Sequence, residues 1–351
     1  MTEGVAFSRE NHIGLITLNR PKALNALSLP MILAIQEQLL AWQEDSKIHA
    51  VVVRALPGKA FCAGGDVRWL YEAGQQDNPE QMDFFWHEYR LNHFIHHFKK
   101  PYIALMDGIT MGGGVGISLH GSHPIASTAF TFAMPETGIG FFPDIGASHL
   151  LSLCPNQFGT YLALTGNRLN AADAFQLGLV RYVVETEAMK DLLDELIKLD
   201  LSQHASKQIE SCLSRYTTTY ASNMVSIQAK VKESFNYGEV EAIVSFLESK
   251  EDDWHQKTLT ILQAKAPLSL KVTLRQIRKA MTMNLAECLK MDFNLVNHFM
   301  QGNDFYEGVR ALLVDKDKEP NWQPKCLEAV TNEMVSTYFE PAEKPLSFEI
   351  T

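Results

Sequence analysis

Two glycine-rich segments carry the strongest chemical signal in the chain: Phe61-Cys-Ala-Gly-Gly-Asp66 and, further along, Met111-Gly-Gly-Gly-Val-Gly116. Glycine lets backbone N–H groups approach a ligand with no Cβ in the way. Two such loops meeting in space make a pair of amide donors aimed at one oxygen, an oxyanion hole for a thioester or enolate. Neither segment has the spacing of a phosphate P-loop or a dinucleotide fingerprint. Taken singly, each reads equally well as a tight strand–helix turn; the pair points to chemistry.

A second signal is Met134-Pro-Glu-Thr-Gly-Ile-Gly-Phe-Phe-Pro-Asp-Ile-Gly146, which sets Glu136 and Asp144 among Met134, Ile139, Phe141 and Phe142. Carboxyl groups in apolar company either titrate abnormally or hold structure together. Beside paired glycine loops, the pair reads as a division of labour: one ionised carboxylate attacks or activates water while the other holds or delivers a proton. His93, His96 and His97 sit near Lys99 and Lys100 with no carboxylate at ligand spacing, so they read as a helix face and no metal site is expected. Gly116-Ile-Ser118-Leu-His120 lacks the closing glycine of a nucleophile elbow, which argues against a Ser-His-Asp hydrolase. Lys22, Lys59, Lys316 and Lys318 are candidates for the phosphates of a large anionic ligand; composition does not choose among them.

The elements that must position these groups alternate in the first half of the chain. Residues 12–18, 50–54 and 102–106 read as strands, the last two as continuous apolar runs of a buried sheet. Residues 30–42 show helical spacing after a Ser28 cap, and residues 81–98 form a long amphipathic helix. Short strands are expected at 124–126 and 130–132, and the stretch 135–146 is too rich in Gly and Pro for either element. From Gln157 onward helices dominate.

With 351 residues and 46% hydrophobic content, the chain has material for one large domain or two ordinary ones. A net charge of −10 argues against a nucleic-acid partner. Five scattered cysteines without metal spacing read as free thiols in a reducing compartment. The N-terminus enters a strand with no signal-peptide pattern, and no apolar run approaches the ~18 residues of a membrane span. A cytoplasmic protein is expected.

The segments Ile16-Thr-Leu-Asn-Arg-Pro-Lys-Ala-Leu-Asn-Ala-Leu27, Ala60-Phe-Cys-Ala-Gly-Gly-Asp66 and Gly112-Gly-Gly114 resemble the crotonase (enoyl-CoA hydratase/isomerase) superfamily, and residues 163–169 and 174–183 fit its continuation. The acidic loop 134–144, Leu270-Lys-Val-Thr-Leu-Arg-Gln276, Asp304-Phe-Tyr-Glu-Gly-Val-Arg310 and the tail 315–324 resemble a thioester-hydrolase branch of it. The resemblance implies an α/β fold, a spiral of ββα units with a helical C-terminal region. Residues 1–200 would form the core with the coenzyme A thioester site. Residues 201–351 would cover it and make homo-oligomer contacts, trimeric or dimeric.

The resemblance further assigns the oxyanion hole to the N–H groups of Gly65 and Gly113, the acidic pair to Glu136 and Asp144, and a substrate-contacting carboxylate to Glu88. It places coenzyme A near Lys22, Ala23, Leu24, Lys59, Ala63 and Asp66. Coenzyme A is part of the substrate, and no metal or redox cofactor is implied. Hydratases of this superfamily carry a second catalytic glutamate two residues after the glycine triplet, and here that position is Gly116. Water addition would lack half its acid–base pair, so hydrolysis of a short branched β-hydroxyacyl-CoA is the implied activity. The alternatives are a hydratase or isomerase with Glu136 as single base, or a binding module that recruits RNA, against which the acidic balance weighs.

Overall fold

The computed structural model describes residues 2–349. By internal contacts the chain forms two compact groupings, each drawn from three segments: residues up to Gly65 with Arg90–Phe132 and Leu169–Ser222, and Asp66–Tyr89 with Ala133–Arg168 and the chain from Asn223 onward.

The first grouping is built on strands β1 (Val5–Glu10), β2 (Ile13–Leu18), β3 (Ala50–Ala55), β4 (Ala60–Cys62), β5 (Tyr102–Met106), β6 (Ile109–Met111), β7 (His123–Ser127), β8 (Thr131–Ala133), β9 (Leu169–Asn170) and β10 (Tyr182–Val184). One sheet runs β1-β2-β3-β5-β7-β10 and a second runs β4-β6-β8-β9. Each successive pair (β3 and β4, β5 and β6, β7 and β8) gives one strand to each sheet, which is the repeat expected of a ββα spiral. The β1–β2 pair is antiparallel and β2, β3, β5, β7 and β10 run parallel. A parallel sheet covered on both faces explains the unbroken apolar runs: every residue of β5 is buried.

Ile13, Leu15, Val52, Ile103, Leu105, Ile125 and Val184 form a core with helix Met189–Lys198, whose buried Met189, Leu192, Leu193 and Leu196 recur at helical spacing. Each such side chain is worth roughly 1.5–3 kcal/mol when fully buried. Helix Ala205–Tyr216 lies beyond the expected boundary at residue 200, yet its Ile209, Cys212 and Leu213 complete this same core.

The second grouping is mainly helical. Helix Pro267–Ala280 packs on Ala147–Ser152 and Phe158–Thr165. Helix Leu285–Gln301 opens on a capping box, in which the Glu287 N–H donates to Asn284 Oδ1 at 3.0 Å and the Asn284 N–H to Glu287 Oε2 at 2.8 Å. Among the described residues no helix is long and apolar enough to cross a membrane.

Candidate active site

The two glycine loops meet. Parallel pairing of β4 with β6 (Ala60 with Ile109, Cys62 with Thr110) sets the ends of these strands side by side. Beyond them the backbone turns through Gly64 at φ +116° and Gly112 at φ +46°, ψ −125°, conformations that suit glycine. A Cβ on Gly64 would fall 3.5 Å from the Met111 carbonyl oxygen and 3.7 Å from the Gly113 nitrogen, and one on Gly114 only 2.2 Å from the Cys62 carbonyl oxygen. Gly64 therefore lies against Gly113, which opens the short helix Gly113–Gly116, and Gly65 is the next residue along the first loop.

The segment before α-helix Leu29–Glu44 fixes the first loop. The Leu27 N–H donates to the Gly64 carbonyl at 2.8 Å, and the Ala63 N–H to the Leu24 carbonyl at 3.0 Å. Asn25 locks the segment down: its buried carboxamide accepts from the Arg20 N–H at 2.8 Å and donates to the Ala60 carbonyl at 3.0 Å. Sequence reasoning missed Asn25, although an asparagine tolerates the left-handed turn that Leu24 and Asn25 make at φ 51° and 56°. Of the residues expected around coenzyme A, Leu24 and Ala63 are thus joined, Ala23 is half-buried beside them, and Lys22 and Lys59 are exposed. Asp66 caps helix Val67–Gln75, accepting from the Trp69 N–H at 3.2 Å.

The acidic residues gather in the second grouping. Glu136 opens a 3-10 turn, Glu136–Ile139, that ends at Gly140 in the left-handed region. Its carboxyl is buried, and Oε2 has no hydrogen-bond partner. Asp144 is buried too and accepts from the Tyr89 hydroxyl at 2.8 Å. Glu88 is 2% exposed with Oε1 unpartnered. Around them Phe141 lies 4.5 Å from Phe142 and 5.5 Å from both Phe299 and Phe305, ring centre to ring centre.

This setting moves the titrations upward. Burial, and then the charge of Asp144, push Glu136 and Glu88 well above the ordinary carboxyl range. Burial lifts Asp144 to about 7 against the opposing Tyr89 hydrogen bond. Lys265 pulls Glu136 the other way; its ammonium lies 3.3 Å from where a Cβ on Gly138 would sit and 3.6 Å from one on Gly166. Carboxyl groups held at different pKa values can serve as acid and base in one reaction.

A fourth buried carboxyl, Asp292, accepts from the Gly146 N–H at 2.8 Å and from Gln276 at 2.7 Å, and Gln276 also donates to the Pro143 carbonyl at 2.9 Å. The pair thus holds both ends of the turn that carries Asp144. Sequence reading missed both roles. The available signal was a polar residue at a core position of an amphipathic helix: Asp292 falls among Leu289, Leu295, Val296 and Phe299, and Gln276 among Val272, Thr273 and Ile277.

The remaining candidates lie elsewhere. The His97 ring sits tilted against His93 and edge-on to His96, with ring centres 4.2 Å and 4.9 Å away. Among the described residues no cluster of His, Cys, Asp and Glu could hold a metal ion. The Ser118 hydroxyl donates to the Gly114 carbonyl at 2.6 Å. Lys316 and Lys318 stand exposed in the tail.

The family described as Enoyl-CoA hydratase/isomerase matches residues 13–339. The chain is 43% identical over 332 residues to a protein of Xenopus tropicalis named 3-hydroxyisobutyryl-CoA hydrolase, mitochondrial, covering 93% of this chain and 86% of that one. A Xenopus laevis protein of the same name is 41% identical over 96% of this chain and 88% of its own. A solved carnitinyl-CoA dehydratase from Mycobacterium thermoresistibile superposes with a TM-score of 0.93 at 33% identity, covering 99% of both chains. The crotonase-type fold with its helical C-terminal region is therefore the fold of this chain. The cytoplasmic location expected from the sequence is overturned, since the matching relatives are named mitochondrial. Scattered free cysteines do not choose between one reducing compartment and another.

Proposed function

The chain belongs to the enoyl-CoA hydratase/isomerase family, and on that premise we propose that it hydrolyses 3-hydroxyisobutyryl-CoA to 3-hydroxyisobutyrate and coenzyme A, a step of valine breakdown. The observation that carries this reading is Glu136, a buried carboxyl with one oxygen unpartnered, set beside Asp144. The relatives' names supply the substrate.

In this proposal the thioester carbonyl oxygen accepts from the Gly65 and Gly113 amides, and losing one such donor costs about 2.7–4 kcal/mol of transition-state stabilisation. Glu136 works ionised. It either attacks the carbonyl, expelling the thiolate and leaving a mixed anhydride for water to open, or takes a proton from the attacking water. Asp144 positions the water or substrate hydroxyl and delivers a proton to the leaving sulfur. Glu88 binds the acyl hydroxyl. The exposed Lys22 and Lys59 face the coenzyme A phosphates, with Ala23, Leu24, Ala63 and Asp66 along the cofactor portion of the substrate.

Replacing Glu136 by Gln is expected to abolish thiol release while the ester still binds; near-normal turnover would remove Glu136 from the mechanism. The second reading, hydration or dehydration with Glu136 as single base, is favoured by the likeness to the Mycobacterium carnitinyl-CoA dehydratase. Gly116 weighs against it, because it supplies no second carboxylate. A thiol reagent separates the two, since hydration frees no coenzyme A.

A further inference from the structure

The space beside Gly116 is already taken. A Cβ there would lie 2.6 Å from Asn92 Nδ2 and 3.1 Å from its Cγ and Oδ1, so the Asn92 carboxamide sits where a side chain at 116 would begin. Asn92 is fully buried, and neither Nδ2 nor Oδ1 has a hydrogen-bond partner. A buried amide with donor and acceptor both unanswered has given up its hydration for nothing. Native proteins keep few of these, and each calls for an explanation, a bound water or ligand among them.

The position suggests which ligand. Gly116 ends the short helix that begins at Gly113, one of the two amides assigned above to the thioester carbonyl. Three residues of helix advance ~4.5 Å, the scale separating a carbonyl oxygen from a hydroxyl on the β-carbon of the same acyl chain. Resting on the hydrolase reading, we propose that Asn92 is a specificity-determining residue: its carboxamide hydrogen-bonds the acyl β-hydroxyl, Nδ2 donating to the hydroxyl oxygen and Oδ1 accepting its hydrogen. A hydroxyl has one hydrogen and two lone pairs, so it answers both amide atoms and keeps a lone pair for a second donor. The role given to Glu88 is compatible with this. Glycine at 116 then follows, because any side chain there would displace the amide.

The test is thiol release from 3-hydroxyisobutyryl-CoA and from isobutyryl-CoA, which lacks only the hydroxyl. Asn92→Leu is expected to lower kcat/KM for the hydroxylated ester about 10- to 100-fold, the usual range for a hydrogen bond lost from a buried site, and to leave isobutyryl-CoA within about threefold of wild type. Equal losses on both esters, or none on the hydroxylated one, would overturn the assignment. Should Asn92→Leu fail to fold, Gly116→Ala reads the same ratio, because its methyl group presses on the amide; a ratio unchanged from wild type overturns it equally. Wild-type protein that frees no thiol from either ester sinks the hydrolase reading and this inference together. An unmoved ratio in an active enzyme sinks this inference alone.

Discussion

Replacing Gln276 by Leu tests whether the buried pair beneath Asp144 positions it. Gln276 gives one N–H to the Pro143 carbonyl at 2.9 Å and the other to Asp292 at 2.7 Å, and a leucine of similar bulk gives neither. Two buried acceptors then lose a donor, at about 1–3 kcal/mol each. The substitution also removes Gln276 Oε1, itself buried and unpartnered, which returns a cost of the same order. The net loss is about 1–3 kcal/mol, a sizeable part of the 5–15 kcal/mol typical of a folded protein. Urea unfolding reads it. The kinetic consequence is separate. The Asp144 turn keeps its tether from the Gly146 N–H to Asp292 but loses the one at Pro143, and a reacting group misplaced by about 1 Å can cost 10²-fold in rate. We expect kcat to fall more than KM rises, because the proposed mechanism places Asp144 in the proton-transfer step. A variant as stable as wild type with an unchanged kcat would refute the positioning argument.

Two further predictions follow from the titrations. Lys265→Met removes the positive charge that holds Glu136 down, so the acidic limb of the kcat/KM–pH profile should move to higher pH; a limb that stays in place would show that Lys265 does not act on Glu136. Asp144 is raised from 3.8 to about 7 in the fold, so its neutral form is favoured there: its stabilising contribution is complete below the unfolded pKa of ~3.9 and is lost as pH rises to about 7. Asp144→Asn should therefore raise Tm relative to wild type at pH 8 and by less at pH 4; an equal change at both pH values would contradict this.

The large elements were legible because their signals are long. Five consecutive apolar residues at Tyr102–Met106 announce a buried strand, and the spacing of Leu192, Leu193 and Leu196 announces a helix face. Strands β4, β6, β8, β9 and β10 have two or three residues each, too few for a period of two to show; only β8 had a near match in the expected strand at 130–132. The site was partly readable for a different reason: Glu136 and Asp144 stand out as acids in apolar company. Glu88 does not, because Glu80 and Asp83 share its helix and all three look like ordinary helix charges until burial separates them. Asn25 and Asn92 likewise gain meaning only when neighbours distant in sequence meet.

What unites the second grouping is its cost. Glu88, Glu136, Asp144 and Asp292 are four buried carboxyl groups, and burial is the largest influence lifting every one of them. A fold selected for stability alone would do better with apolar residues of similar size at these positions. Asp292 has a structural excuse, because it accepts from Gly146 and Gln276. Glu88 and Glu136 have none, each keeping an oxygen that meets neither protein donor nor solvent. Carboxyl groups kept buried and unanswered make this a candidate site for a reaction. The destabilisation that the fold tolerates at Glu136 is thus itself the reason to place chemistry there.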